Sequence, residues 1–104
     1  ATISVQMPKN LTIAVLDNEH FGETGMQKSH TGYGVDLVGI AHSSGFPISR
    51  ELTNMSEIEV ARDEILQNNG PMFLNIKINS QSPDRSLPTL DGVELKNRFR
   101  TSLK

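Results

Sequence analysis

Leu11-Thr12-Ile13-Ala14-Val15-Leu16 forms an unbroken run, mostly apolar and rich in β-branched residues, bounded by Asn10 and by Asp17-Asn18. It is too short for a helix and does not alternate, so it predicts a strand buried on both faces, as in parallel sheets. Upstream, Ala1 to Met7 reads as the tail of a helix that Pro8 stops, with Lys9-Asn10 turning the chain. Downstream, residues 19–34 hold Gly22, Gly25, Gly32 and Gly34 with little apolar periodicity, a long loop with room for one helical turn. Loops of that length inside a domain are commonly functional. This one follows the C-terminal end of a buried strand, where open α/β sheets place their ligands.

Regular patterning resumes at Asp36, which predicts the cap of a helix over Leu37 to Ser44, with Val35 and Ile40 as a hydrophobic staple. Gly45 suits the left-handed position past its end, and Pro47 follows. Ile48 to Leu52 predicts a second strand. Ser56-Glu57-Ile58-Glu59 reads as a capping box, with Met55 and Val60 as its staple. The helix it opens carries Ile58, Ala61 and Ile65 on one face and ends at Asn68-Asn69-Gly70-Pro71. Met72 to Ile78 alternates strictly, with Phe73, Asn75 and Lys77 on a wetter face, which predicts a strand near a sheet edge. Residues 79–92 read as irregular, and Val93 to Leu103 as a terminal helix, basic through Lys96, Arg98 and Arg100. The order of elements predicts a parallel α/β fold with right-handed crossovers. Three strands make half of a doubly wound sheet.

Composition bounds the function. The chain has 104 residues, 36% hydrophobic and 5% aromatic, which is enough for one small domain with a thin core. Ten basic and twelve acidic residues leave a formal charge of −2, with no electrostatic footprint for nucleic acid or an anionic membrane. Without Cys there is no disulfide framework or thiol nucleophile. No apolar run approaches the roughly 20 residues of a membrane span, and Ala1-Thr2-Ile3-Ser4-Val5 lacks the pattern of a signal peptide. A cytoplasmic location is the expectation. His20, His30 and His42 have no compact ligand spacing, Arg62-Asp63-Glu64 reads as a solvated helix face, and Ser43-Ser44-Gly45 lacks a nucleophile elbow.

The informative stretch is Asp17-Asn18-Glu19-His20-Phe21-Gly22-Glu23-Thr24-Gly25-Met26-Gln27. Asp17 and Asn18 stand at the mouth of the first strand, while Gly22 and Gly25 allow a ligand close to the backbone. Hard oxygens from an Asn amide, a backbone carbonyl and a carboxylate suit Mg²⁺, which commonly bridges protein to phosphate. A Gly-rich turn with an Asn cap is the purely structural alternative.

The stretch resembles the second half of the thiamine diphosphate signature, which opens with Gly-Asp-Gly and closes with an Asn at the end of the next strand. With Ser29-His30-Thr31, with Asp36 to Phe46, and with Leu90 to Arg100, the whole chain is similar to the phosphonopyruvate and sulfopyruvate decarboxylases. The resemblance implies that residues 1–104 are the C-terminal portion of a thiamine diphosphate-binding domain, a parallel sheet with flanking helices. It implies that Asn18 gives its side-chain oxygen, and His20 its backbone carbonyl, to Mg²⁺. Phe21 and Gly22 would lie beside the cofactor diphosphate, with Glu23 and His30 as catalytic candidates for protons or substrate. The implied reaction cleaves a 2-oxoacid into CO₂ and an aldehyde.

Gly-Asp-Gly, whose Asp is the family's other Mg²⁺ ligand, is absent from these residues, as is the Glu that activates the cofactor. The expectation is therefore a fragment or subunit, inactive alone. An upstream segment or second subunit would complete it within a homo- or hetero-oligomer. A non-catalytic assembly module and an acetolactate-synthase-like carboligase are the alternatives.

Overall fold

The computed structural model describes residues 1–67, 69–81, 84 and 86–103. Asn68, at the expected end of a helix, and Ser82, Pro83 and Arg85, in the expected irregular segment, lie outside the described residues.

Helix α1 (Thr2–Gln6) ends at Met7, which takes the left-handed conformation one residue ahead of Pro8. Strand β1 (Thr12–Asp17) follows. The 19–34 segment has more structure than the expected loop. Strands β2 (His20–Phe21) and β3 (Gln27–Lys28) pair as a small antiparallel ribbon, and short 3₁₀ turns cover Gly22–Thr24 and Thr31–Tyr33. Then come α2 (Leu37–Ser43), β4 (Ile48–Leu52), α3 (Met55–Leu66), β5 (Met72–Lys77) and α4 (Gly92–Ser102).

Asp36 starts α2 as expected, its carboxylate accepting from the Gly39 amide at 2.8 Å. Val35 and Ile40 are both exposed, so the cap rather than a staple marks this end. Gly45 has φ +97° at the far end of the helix, where a side chain would be strained. The start of α3 differs from expectation. Its cap is Asn54, whose Oδ1 accepts from the Glu57 amide at 3.0 Å, while the Glu57 carboxylate accepts from the Thr53 amide at 2.7 Å. Asn54-x-x-Glu57 is the same pattern as Ser56-x-x-Glu59, two residues earlier, and Asn caps at least as well as Ser. Met55 thus becomes the first helical residue and cannot staple to Val60.

The three long strands form one parallel sheet in the order β1-β5-β4, with Thr12 opposite Met72 and Ile48 opposite Met72. This corrects two expectations. β5 is the central strand, not one near an edge, and β1 lies at the edge of this sheet with Ala14 and Leu16 exposed. Alternation reports what each face meets, and the wetter face of β5 is real, but it faces other protein groups rather than water. On the opposite face Met72 and Leu74 are fully buried and pack with Leu52 and Ala61, flanked by Ile48, Ile58 and Ile76. Burying each of Met72, Leu74 and Leu52 contributes about 1.5–3 kcal/mol. Glu64, expected on a solvated face with Arg62 and Asp63, instead pairs with Arg50 of β4.

The core is small, and the chain is more open than a compact unit of its size. Its radius of gyration is 17.1 Å, against about 13 Å for a compact domain of this length. Helix α4 begins on the Asp91 carboxylate and leaves Val93, Leu95 and Phe99 exposed. No helix among the described residues is long and apolar enough to cross a membrane.

Candidate functional site

The strands' C-terminal ends carry polar groups on the face that also packs against α2. Asp17 ends β1 and is 5% exposed. Its Oδ1 accepts from the Thr31 hydroxyl at 2.6 Å and the Glu19 amide at 2.9 Å. Its Oδ2 accepts from the Lys77 ammonium at 3.0 Å and the Asn75 amide at 3.4 Å. Burial alone would push this carboxyl up. The donors Thr31, Lys77, the Glu19 amide and Asn75 together outweigh it and hold the group at about 2, below the usual 3.8. Asp17 is therefore an ionised structural hub, with both oxygens already engaged by the protein.

The chain turns sharply after it. Glu19 has φ +61°, a left-handed conformation uncommon for a residue with a side chain. Asn18 Oδ1 accepts from the His20 amide at 3.0 Å, which fixes the orientation of the Asn18 amide group. The His20 ring lies back on the same turn, with Nδ1 2.8 Å from the Asn18 carbonyl; a carbonyl only accepts, so Nδ1 carries the proton. The Ser29 amide donates to the Glu19 carbonyl at 2.8 Å. Hydrogen-bonded and non-hydrogen-bonded pairs alternate in an antiparallel ribbon, so the next pair, His20 with Lys28, is non-hydrogen-bonded. The His20 carbonyl accordingly points away from β3. Gly32 closes the arrangement: a Cβ there would stand 2.6 Å from the Glu19 carbonyl oxygen.

A cleft of about 300 Å³ opens over this turn, lined by Val15, Asp17, Asn18, His20, Phe21 and His30 among others. Phe21 and His30 meet edge to face, with ring centroids 6.3 Å apart. Of the six candidates named from sequence, Asn18, His20, Phe21 and His30 come together here. Gly22 and Glu23 sit on the adjoining 3₁₀ turn and are not part of the lining. Sequence reasoning missed Lys77, Asn75 and Thr31, because their meeting with Asp17 depends on the β1–β5 register and on the loop's return path.

The donor set fits a hard cation in part. The Asn18 amide oxygen keeps a second lone pair, and the His20 carbonyl faces off the ladder, giving two neutral oxygens of the kind Mg²⁺ takes. Among the described residues no group of three His, Cys, Asp or Glu is placed to hold a metal.

The chain is an α/β fold, a parallel three-strand sheet flanked by helices, with a polar cleft at the end of β1. The chain is similar to sulfopyruvate decarboxylase subunit beta from Methanocaldococcus jannaschii, with 42% identity over all of this chain and 55% of that protein. It is also similar to the subunit of the same name from Methanothermobacter thermautotrophicus, 30% identical over 94% of this chain and 50% of that protein. Phosphonopyruvate decarboxylase from Streptomyces viridochromogenes is 30% identical over 96% of this chain and 25% of its own length. These relatives support a place for the chain in the sulfopyruvate and phosphonopyruvate decarboxylase family. It spans about half the length of the two beta subunits. No family model matches it, and no solved structure matches it significantly.

Proposed function

We propose that the chain is part of a thiamine diphosphate- and Mg²⁺-dependent decarboxylase acting on sulfopyruvate or phosphonopyruvate. The observation that carries this reading is the Asn18–His20 turn, which offers two neutral oxygens at the mouth of β1 within a family of 2-oxoacid decarboxylases. Asn18 Oδ1 and the His20 carbonyl would take two positions on the cation. Diphosphate oxygens and a carboxylate from outside these residues would take others. Phe21 would wall the cleft and keep water from the reacting groups. His30, edge-on to Phe21, would hold or move a proton at its ring, with Glu23 as the second candidate for that task. When bound, thiamine diphosphate supplies the electron sink for loss of CO₂ from the 2-oxoacid. The remaining part of the site would come from a longer chain or another subunit; two relatives carry the name subunit beta, which favours a second subunit.

Calorimetric titration of the full-length gene product with Mg²⁺ and thiamine diphosphate tests the cofactor reading, and an absence of saturable binding would sink it. Product analysis with sulfopyruvate, phosphonopyruvate and pyruvate tests the reaction. CO₂ with a stoichiometric aldehyde supports decarboxylation, acetolactate from pyruvate supports a carboligase, and no turnover by the assembled protein supports a binding module.

A further inference from the structure

We infer that Lys77 is a positioning residue of this site: by bridging the carboxylates on either side of Asn18, it fixes the turn that presents the Asn18 and His20 oxygens. The inference rests on the cofactor reading above and adds to it a residue 60 positions from Asp17 in sequence.

Three observations carry it. The β1–β5 register sets Lys77 directly opposite Asp17, and the Lys77 ammonium lies 3.0 Å from Asp17 Oδ2 and 2.6 Å from Glu19 Oε1. Those two contacts bracket Asn18 in sequence, so a single cation pins both ends of the turn. Second, Glu19 is held at φ +61°. Such a conformation persists only where the surroundings over-determine it. The Asp17 carboxylate holds the Glu19 amide, Ser29 holds its carbonyl, Gly32 packs on that carbonyl, and Lys77 holds its side chain. Third, the charges balance poorly without Lys77. Asp17 and Glu19 would then face each other as two carboxylates, and their repulsion would push Glu19 outward and carry Asn18 and His20 with it. Lys suits the role because its compact ammonium has three donors that reach acceptors in different directions.

Lys77 touches neither Asn18 nor the His20 carbonyl in any contact described above, so its action on a bound ion is indirect. Groups that orient metal ligands typically cost about 10- to 100-fold in affinity when removed.

The test uses the full-length protein, with any partner subunit, as wild type, Lys77→Met and Lys77→Arg. Amide exchange is followed without metal or cofactor, and Mn²⁺ serves as the spectroscopic probe of the cation site in the presence of thiamine diphosphate. In Lys77→Met, the Glu19 and His20 amides should exchange about tenfold faster or more, while the Leu74 amide stays at the wild-type rate. Its Mn²⁺ dissociation constant should rise at least about tenfold, and Lys77→Arg, which keeps the charge, should recover part of both effects. Wild-type exchange at Glu19 and His20 in Lys77→Met overturns the inference. So does faster exchange spread equally to Leu74, or an unchanged Mn²⁺ affinity in a protein whose wild type binds. A wild type that binds no Mn²⁺ overturns the cofactor reading instead, and the exchange measurement then decides by itself whether Lys77 sets the turn.

Discussion

The Thr31 hydroxyl donates a 2.6 Å hydrogen bond to Asp17 Oδ1, so the return end of the 19–34 segment is latched onto the strand from which the segment departs. Thr31→Val keeps the shape and removes the donor, leaving a buried carboxylate one partner short. A hydrogen bond to a charged group is worth about 1.5–3 kcal/mol, and urea denaturation of the full-length variant should show a loss in that range. A midpoint within error of wild type would mean that the latch contributes nothing.

Asp17 also sets a pH dependence whose sign follows from its environment. The group is lowered from 3.8 to about 2 in the folded protein, so it stabilises the fold above pH 3.8, and that contribution disappears as pH falls through about 2. The difference corresponds to roughly 2 kcal/mol. Stability measured between pH 5 and pH 2 should fall more steeply in the wild type than in Asp17→Asn. Parallel curves would contradict the assignment.

Asn18→Ala removes one neutral oxygen from the turn while leaving Asp17 and its donors in place. Mg²⁺-dependent binding of thiamine diphosphate by the full-length protein should weaken by about tenfold or more, with the circular dichroism spectrum unchanged. Retention of wild-type affinity would remove Asn18 from the cation site.

The core makes a contrast of its own. Leu74, 1% exposed on the central strand, should cost about 2–5 kcal/mol when cut to Ala. Val60, exposed on α3, should stay within about 0.5 kcal/mol of wild type on the same change. Chemical denaturation of the two variants side by side measures this directly.

Asn54→Ala should destabilise by about 1 kcal/mol, the usual cost of losing an N-cap, whereas Ser56→Ala should not. The reverse ranking in thermal melts would restore Ser56 as the cap.

These variants also mark what was legible in the chain. The apolar run of β1, the Asp36 cap, the left-handed Gly45 and the alternation of β5 are local patterns, and each appears where its residues predicted. The place of β5 in the sheet is not local. An alternating strand says that its two faces differ, but the polar face of β5 is polar because Lys77 and Asn75 meet Asp17 of β1 there, which shows only when β1 lies alongside. The expectation of Ser56 as the α3 cap missed Asn54 for another reason: Asn54-x-x-Glu57 and Ser56-x-x-Glu59 overlap, and only the side chain that reaches a backbone amide decides between them. In the site, Asn18 and His20 could be named from their motif. Lys77 could not, because nothing near it in sequence refers to residue 17.

Glu19 places two incompatible demands on one position. Its backbone, at φ +61°, would be most at ease as glycine, yet glycine has no carboxylate for Lys77. Asparagine tolerates the conformation but carries no charge, and aspartate keeps the charge on a side chain one methylene shorter. Any residue at this position is therefore a compromise between conformational ease and electrostatic reach. A glutamate here means that the turn accepts backbone strain to keep its tether to Lys77.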